Sequence, residues 1–321
     1  MLSTDYKPIM LHIALMPLWF LFIGCIGIPC SPPEYYAPEK SAPYVAEEVK
    51  VFTQAGHILA GTLTIPKEIN QPLSGVVLIT GSSPQNRDFS PHPSVPYRLF
   101  RQVADTLSRR GIAVLRMDDR GCGCSGGGPL KSATTAERAD DIRAGISYLK
   151  DRKEINGNRI GLIGLSEGAM IAPMVAVTDS SIIAIVLMAG PATKGDVILD
   201  FQDGPGWRQS SFNALGEWLE FFIEYDPLPT AEMVKCPVLI LHGDRDKHVP
   251  VEHANILAEA IRRGGNQDVT VHIFPGYKHN FINVEEANKK NKEGKPLNEI
   301  LQISPDVIGV ISDWIVTKLS L

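Results

Sequence analysis

The sequence predicts an α/β protein with a mostly parallel, doubly wound sheet that carries helices on both of its faces. The first observation behind this prediction is a series of short runs that are apolar or rich in β-branched residues. The second is that segments with helical periodicity separate these runs, which indicates parallel strands joined by crossover helices. The predicted buried strands are 76–80, 113–117, 160–163, 183–188, 238–241 and 269–274.

The remaining predicted elements are an N-terminal hairpin and five helices. Two alternating segments, 49–53 and 59–65, predict antiparallel strands joined around Ala55 and Gly56. In sheets of this class, reactive groups gather at the carboxyl ends of the parallel strands, so chemistry is expected in the residues that follow each run. The predicted helices are 97–110, 133–150, 167–177, 251–263 and 305–318.

Two segments depart from the alternation of strand and helix. The stretch from 191 to 234 is rich in Gly, Pro and aromatic residues, and we interpret it as a short lid insertion. The lysine-rich run 289–295 is predicted to be a solvated loop because no aromatic residue interrupts it. The aromatic residues of the lid segment are Trp207, Phe212, Trp218, Phe221, Phe222 and Tyr225.

The N-terminus is compositionally distinct from the rest of the chain. Between 9 and 28 the only ionisable side chain is His12, and Lys7 provides a weak positive flank that Asp5 opposes. The tetrapeptide F-I-G-C ending at Cys25 loosely resembles a lipobox, so a lipoprotein signal, a cleaved signal peptide and a retained anchor all stay open. We therefore expect a leader at 1–30, a Pro-rich linker at 31–45, a catalytic domain at 46–321 and an exported protein, located in the cell envelope or periplasm or secreted.

Charge and cysteine content narrow the function classes. A formal net charge of −5 provides no basic field for a phosphate backbone, so nucleic acid is not an expected partner. The five cysteines are not expected to form a disulfide framework, because Cys25 and Cys30 fall in the leader. Cys122 and Cys124 form a C-x-C pair without a second ligand pair, so we interpret them as loop residues and expect no metal.

The segment G-L-S-E-G at 164–168 carries the strongest catalytic signal. It follows one predicted strand and precedes a predicted helix, which is the context of a nucleophile elbow with Ser166 at its tip. Small residues are needed two positions before and two positions after the serine so that strand and helix can pass closely, and both positions are glycine. An ordinary strand-to-helix turn is the alternative to this interpretation.

Two further segments supply an acid and a base. The segment L-H-G-D-R-D-K-H-V-P at 241–250 places Asp244 and Asp246 after a strand, where a carboxylate can orient an imidazole. His279 lies in a loop after the last strand, and the order Ser, Asp, His is typical of α/β-hydrolases. His242 and His248 flank the acidic loop, but one base suffices and His279 occupies the expected position.

This constellation predicts an acyl-enzyme mechanism. His279 takes the proton of Ser166, the serine attacks an acyl carbonyl, and the carboxylate fixes the tautomer of the imidazole. The oxyanion needs preorganised N–H donors, and we assign them to the backbone of Glu167 and of Ser82, with Ser83 as the alternative to Ser82.

Four segments together resemble bacterial α/β-hydrolase esterases related to serine aminopeptidases and acyl-peptide hydrolases. They are G-S-S-P-Q-N-R-D at 81–88, D-D-R-G-C-G-C-S at 118–125, the elbow, and the segment from Cys236 to Asp246. The resemblance spans about residues 49–314 and favours Asp246 over Asp244 through its G-x-x-D-x-x-V-P pattern. It implies the α/β-hydrolase fold, activity on short-chain or aryl esters, and no metal or organic cofactor.

The chain also departs from the pattern of these esterases. Ser83 replaces a glycine and Asn86 an acidic residue in the oxyanion loop, and the lid is shorter than the helical cap of many relatives. Charged residues of the first two segments are interpreted as loop-fixing ion pairs rather than acid-base groups, because the triad already provides every acid-base group that the reaction needs. They are Arg87, Asp88, Asp119 and Arg120.

Three functions remain open at this stage. The first is a carboxylesterase that acts on a small-molecule ester without a cofactor. The second is an amidase similar to an aminopeptidase, although only Glu167 adjoins the nucleophile to select an amine. The third is a non-catalytic binding protein on the same fold, which the intact triad disfavours. The acyl and alcohol groups and the oligomeric state stay open.

Overall fold

The structure is a computed structural model that describes residues 30, 37–82, 85–89, 97–128, 133–203 and 216–320. Most of the leader predicted at 1–30 therefore lies outside the described residues, as do Ser83, Trp207 and Phe212. Within the described ranges, none of the helices combines the length and the apolar character that crossing a bilayer requires.

Eight strands form one sheet, and they include every predicted strand. The runs in the centre of the sheet consist mainly of buried Val, Ile and Leu side chains, as expected for strands covered on both faces, whereas the edge strand β8 is only partly buried. The strands are β1 (Tyr44–Phe52), β2 (Ile58–Pro66), β3 (Leu73–Ile79), β4 (Ala113–Met117), β5 (Ile155–Leu165), β6 (Ile182–Met188), β7 (Val238–Gly243) and β8 (Val269–Phe274).

The described residues contain ten helices, which connect these strands. The five predicted helices are all present, and every end lies within two residues of the prediction. The helices are α1 (Leu99–Arg109), α2 (Thr135–Lys150), α3 (Gly168–Ala176), α4 (Gly195–Asp203), α5 (Gly216–Glu224), α6 (Pro227–Met233), α7 (His253–Arg263), α8 (Val284–Lys292), α9 (Leu297–Ile300) and α10 (Pro305–Leu319).

The strand order is β1-β2-β4-β3-β5-β6-β7-β8, in which β2 pairs antiparallel with both β1 and β4 and all later pairs are parallel. Helices α2, α3 and α7 pack on one face of the sheet around one apolar cluster. Helices α1 and α10 pack on the opposite face around a second cluster. The doubly wound α/β prediction is therefore confirmed, and the carboxyl ends of β3 and β5–β8 meet at one edge of the sheet.

The described part of the region interpreted as a lid contains three helices, α4, α5 and α6, which we call the cap helices. A third apolar cluster joins α4 and α5 to the sheet edge through Met170 of α3 and Val249, which follows β7, whereas α6 contributes Ala231 to the first cluster. In this cluster the rings of Trp218 and Phe222 stack with centroids 4.9 Å apart. Helices α4 and α5 thus pack against the elbow helix and against the loop after β7.

Two sequence-based expectations are wrong. The first is the expectation that the cysteines are not paired in disulfides. Cys30 and Cys124 form a disulfide, which places the end of the predicted leader beside the loop after β4. Residues 289–292 belong to helix α8 instead of a loop, because Asn283 caps its N-terminus and Glu286 pairs with Lys290 one turn later. The prediction that the lysine run is solvated is confirmed, since no residue of α8 is buried.

Candidate active site

Ser166 occupies the turn between β5 and α3 and has a left-handed backbone, with φ of 57°. Only a tightly constrained turn holds a non-glycine residue in this conformation. A Cβ on Gly164 would lie 2.1 Å from the carbonyl oxygen of Gly168, and a Cβ on Gly168 would lie 2.3 Å from the carbonyl oxygen of Ile79. Both positions therefore require glycine, as the elbow motif predicts.

The backbone around Ser166 is tied to the neighbouring strands. Its N–H donates to the carbonyl oxygen of Met188 at the end of β6, at 2.8 Å. On the other side, a Cβ built on Gly81 would stand 3.3 Å from the Cβ of Ser166. The serine thus lies where the ends of β3, β5 and β6 converge.

Asp246 lies in the loop after β7 and accepts several hydrogen bonds. Its Oδ1 accepts from the backbone N–H groups of His248, at 2.7 Å, and Val249, at 3.0 Å. Its Oδ2 lies 2.7 Å from Nδ1 of His279 and 3.2 Å from Nε2 of His242. Burial opposes ionisation of this carboxyl, but the charge of His279 and hydrogen bonds from both histidines outweigh it and lower the pKa of Asp246.

His279 lies in the loop after β8, and its side chain is 16% exposed. The carboxylate of Asp246 can only accept, so Nδ1 of His279 carries the proton of their bond and Nε2 is left with its lone pair. The loop is held by a bridge between Tyr277 and Asn283 and by a bond from the N–H of Lys278 to the carbonyl oxygen of Ile282. The imidazole is thus oriented by both its loop and its acid.

Asp244 is placed differently from Asp246. It is 38% exposed, and its Oδ1 accepts from the N–H of Gly276 at 2.6 Å, which links the loops after β7 and β8. This bond makes Asp244 a loop-fixing residue, the role expected of the carboxylate nearer the strand end.

Two further histidines adjoin the pair of Asp246 and His279. The ring of His248 lies against that of His279 with centroids 4.9 Å apart. Burial, reinforced by the charge of His279, lowers the pKa of His248 to about 4. His242 is fully buried, and its Nε2 also lies 3.1 Å from the carbonyl oxygen of Val249, so two acceptors face this nitrogen. His242 therefore carries its proton on Nε2.

The two amides predicted to form the oxyanion hole lie in the segments that meet at Ser166. Ser82 follows the end of β3, and Glu167 follows Ser166 directly. Within the described part of the chain, neither N–H donates a hydrogen bond. Both assignments stay predictions, and the alternative at Ser83 falls outside the described residues.

The charged residues of the two loop segments form the predicted ion pairs. The guanidinium of Arg87 is fully buried and bonds Asp118 through Nε, at 3.1 Å, and Nη2, at 2.9 Å. Arg120 bonds both carboxylate oxygens of Asp141, at 2.7 and 2.8 Å. Further pairs are Arg87 with Glu48, Arg116 with Asp88, Arg120 with Glu137, and Arg138 with Asp119.

One buried group beside the nucleophile was missed by the sequence-based interpretation. The side chain of Glu167 is fully buried and accepts three hydrogen bonds. Their donors are Oγ1 of Thr135 at 2.6 Å, Nη1 of Arg138 at 2.7 Å and Nε1 of Trp218 at 3.0 Å. A signal for Arg138 exists in the sequence, because it lies on the same helical stripe as Ile142, four residues later on α2.

The described side chains include no group of three or more His, Cys, Asp and Glu residues arranged to hold a metal ion. The site therefore offers an oriented imidazole and a serine in a strained turn, both at the carboxyl edge of the sheet.

Comparisons with known proteins bear on the site. A model of the prolyl oligopeptidase family matches residues 98–295, a range that includes Ser166, Asp246 and His279. Esterase EstD of Thermotoga maritima is 28% identical over 279 residues, which cover 78% of this chain and 64% of the esterase. The uncharacterized peptidase YuxL of Bacillus subtilis is 25% identical over 84% of this chain and 38% of its own length. The chain thus spans less than two thirds of both relatives.

Solved structures share the fold. An esterase from Pyrococcus furiosus superposes with a TM-score of 0.61 at 22% identity, over 86% of this chain and 95% of the esterase. An acylaminoacyl peptidase from Pyrococcus horikoshii superposes with a TM-score of 0.62 at 18% identity, over 88% of this chain and 42% of the peptidase. At these identities the likeness extends to the α/β-hydrolase fold alone, which matches the predicted fold.

Proposed function

The chain belongs to the prolyl oligopeptidase family, and we propose that it is a serine hydrolase that cleaves carboxylic esters. One observation carries this proposal. The imidazole of His279 is oriented by Asp246 at the sheet edge where Ser166 stands in a left-handed turn. An oriented base and a partly accessible nucleophile at one edge are what acyl transfer requires.

In the proposed reaction, Nε2 of His279 takes the hydroxyl proton of Ser166 as the serine oxygen bonds the acyl carbon. The carbonyl electron pair moves onto oxygen and then returns, which breaks the ester bond and releases the alcohol with the proton from His279. Water repeats the sequence on the acyl-enzyme, so the carboxylic acid leaves and Ser166 recovers its proton. Asp246 stays ionised throughout and stabilises the imidazolium, in keeping with its lowered pKa.

The backbone N–H groups of Ser82 and Glu167 are the proposed donors to the oxyanion. Each belongs to a segment that meets Ser166, and each is free of an acceptor in the described part of the chain. Loss of one such donor costs about 3 kcal/mol of transition-state stabilisation in enzymes of this type.

The surroundings of Glu167 favour esters over the N-terminal amines of peptides. An aminopeptidase selects its substrate with a carboxylate that is free to bind an ammonium group. Glu167 adjoins the nucleophile, but three hydrogen bonds already occupy its buried carboxylate, one of them to the cation Arg138. A substrate amine would have to displace this partner, which is costly for a buried charge. The esterase relative supports the same choice.

An amidase or aminopeptidase is the second candidate, and it is favoured by the peptidases among the relatives. A non-catalytic binding protein is a weaker candidate, because it would leave the bond between His279 and Asp246 without a use. Neither candidate requires a cofactor, and a small molecule is the proposed partner of the site in each case.

Substrate profiling with Ser166→Ala as the control separates these candidates. The assay compares p-nitrophenyl acetate and butyrate with aminoacyl p-nitroanilides, at matched concentrations. The proposal predicts ester turnover that disappears in Ser166→Ala and a kcat/KM for esters well above that for anilides. Turnover of anilides alone would establish the amidase, and no turnover of either class by a folded protein would favour the binding protein.

We propose further that the protein is exported. The disulfide between Cys30 and Cys124 supports this location, because disulfides persist in oxidising compartments. Fractionation of cells followed by N-terminal mass analysis of the mature chain tests the proposal. Recovery of the protein in the cytosol with Cys30 and Cys124 both accessible to a thiol reagent would contradict it.

A further inference from the structure

Arg138 spans the two segments that carry the proposed oxyanion donors. It lies on α2, is 4% exposed, and points its guanidinium toward the nucleophile elbow. Its Nη1 bonds Oε2 of Glu167 at 2.7 Å. Its Nη2 lies 3.0 Å from Oγ1 and 3.4 Å from the carbonyl oxygen of Thr80. One planar group therefore contacts both walls of the proposed oxyanion hole.

The contact at Thr80 fixes the base of the oxyanion loop. Thr80 stands two residues before Ser82, and its hydroxyl also donates to Oδ1 of Asp119 at 2.5 Å. The other oxygen of Asp119 accepts from the N–H of Gln85 at 3.0 Å. Asp119 thus holds the loop on both sides of Ser82, and its Oδ1 lies 3.6 Å from Nη2 of Arg138.

The contact at Glu167 fixes the other donor. The backbone N–H of this residue is the assigned donor, and its side chain is held from three directions by Thr135, Arg138 and Trp218. Trp218 belongs to cap helix α5, whereas Thr135 and Arg138 both belong to α2. The side chain of Glu167 therefore fixes the turn that carries its own backbone N–H group.

We propose that Arg138 is a positioning residue that sets the distance between the two oxyanion donors by bonding Thr80 and Glu167 at once. The inference rests on the proposed function. Arg138 touches no reacting atom in this account and acts through the segments that carry the N–H groups. Because an oxyanion hole works only when both donors are aligned with the developing charge, a small change in their spacing lowers the rate of the chemical step.

The test exploits the difference between a planar fork and a point charge. In Arg138→Lys the cation stays opposite Glu167 and Asp119, but one ammonium group cannot span both walls. Arg120→Lys is the matched control. Arg120 is similarly buried, and it bonds Asp141 and the backbone of Glu137 on the same helix, but it contacts neither Thr80 nor Glu167.

The measurements are kcat and KM for p-nitrophenyl butyrate, the inhibition constant of an alkyl trifluoromethyl ketone, and thermal unfolding. The ketone forms a tetrahedral adduct whose oxyanion occupies the hole. Arg138→Lys is expected to lower kcat by about 10- to 100-fold with little change in KM, since the lost interaction exists only in the transition state. Its inhibition constant for the ketone is expected to rise in step with the loss in kcat/KM, whereas Arg120→Lys is expected to leave both unchanged.

Two results would overturn the inference. One is a kcat for Arg138→Lys that equals that of Arg120→Lys. The other is an increase in KM for the substrate as large as the increase in the inhibition constant of the ketone. If Arg138→Lys does not fold, Glu167→Gln takes its place. Its amide oxygen can still accept from Thr135 and Trp218, which leaves the N–H₂ group facing Nη1 of Arg138 and removes that contact alone. A fall in kcat at constant KM then supports the inference, and an unchanged kcat refutes it. Ester turnover that persists in Ser166→Ala would instead refute the proposed function.

Discussion

Nδ1 of His279 lies 2.7 Å from Oδ2 of Asp246. This bond distinguishes Asp246 from Asp244, which faces the N–H of Gly276 instead. The sequence alone leaves both carboxylates available after β7, and only a pattern borrowed from a resemblance favours the later one. The geometry agrees with that choice, and it makes the assignment of the acid open to a direct comparison.

Replacement of the two carboxylates by amides is expected to have unequal effects. Asp246→Asn presents an N–H₂ group to His279, which favours the wrong tautomer, and comparable changes lower kcat by about 10⁴-fold. Asp244→Asn keeps an acceptor for Gly276 and is expected to change kcat less than about threefold, as exposed substitutions do. Steady-state kinetics with p-nitrophenyl butyrate compares them, and a larger loss in Asp244→Asn would move the acid to that residue.

The elbow glycines are expected to be intolerant of a methyl group. In Gly168→Ala the new Cβ would lie 2.3 Å from the carbonyl oxygen of Ile79, so strand β3 and helix α3 must separate. The expected cost is about 1–3 kcal/mol of unfolding free energy, as for other overpacking changes, together with lost activity.

Gly309→Ala is the matched control for the elbow variant. Gly309 lies within α10, where an added Cβ meets no atom within 4 Å, so this variant is expected to gain about 0.5–1 kcal/mol. Urea unfolding measures both changes. Equal stability of Gly168→Ala and the parent protein would show that strand and helix are not in close contact at the elbow.

The buried histidines predict a loss of stability in mild acid. Burial, with the charge of His279, lowers the pKa of His248 to about 4, and burial, with the charge of His242, lowers that of His253 to about 4. Unfolded histidines titrate near pH 6.5, so between about pH 6.5 and 4 the unfolded chain binds protons that the native protein does not. The free energy of unfolding therefore falls with falling pH, by up to about 1.4 kcal/mol per pH unit for each group.

His248→Phe isolates one of these contributions. The variant keeps a ring against His279 and the backbone bond to Asp246 but has no titrating group. Asp119 has the opposite effect on the pH dependence of stability, because burial raises its pKa to about 6. This effect is the same in variant and parent, so it cancels in the difference between their unfolding free energies. Urea unfolding from pH 7 to pH 4.5 should give a shallower pH dependence for His248→Phe. Parallel curves would mean that His248 protonates normally in the native protein.

Much of the fold and of the candidate site follows from local sequence pattern. The parallel strands are recognisable because their residues are apolar on both faces, and Gly164, Ser166 and Gly168 are recognisable because the turn restricts each of them sterically. His279 is identified because the loop after the last strand adjoins the end of β7. These features depend on residues close in sequence or on the fixed order of strands in the sheet.

The features that were missed depend on contacts between distant residues or on local capping. The disulfide joins Cys30 to Cys124, which lie 94 positions apart. It was not predicted because Cys30 was assigned to the leader and not to the folded domain. The position of Arg138 on the apolar stripe of α2 indicates burial, but nothing near it in sequence identifies its partner Glu167, which lies 29 positions later. Helix α8 lacks an apolar stripe and is stabilised by its cap at Asn283, which periodicity does not detect.

The most direct test of the acyl-enzyme mechanism is to trap the intermediate during turnover of p-nitrophenyl butyrate. The reaction is quenched in acid within its first turnovers, and the digested protein is analysed by mass spectrometry. We expect a butyryl group on the peptide that contains Ser166, and no such group in Ser166→Ala. An adduct on another residue, or unimpaired ester turnover by Ser166→Ala, would rule out Ser166 as the nucleophile.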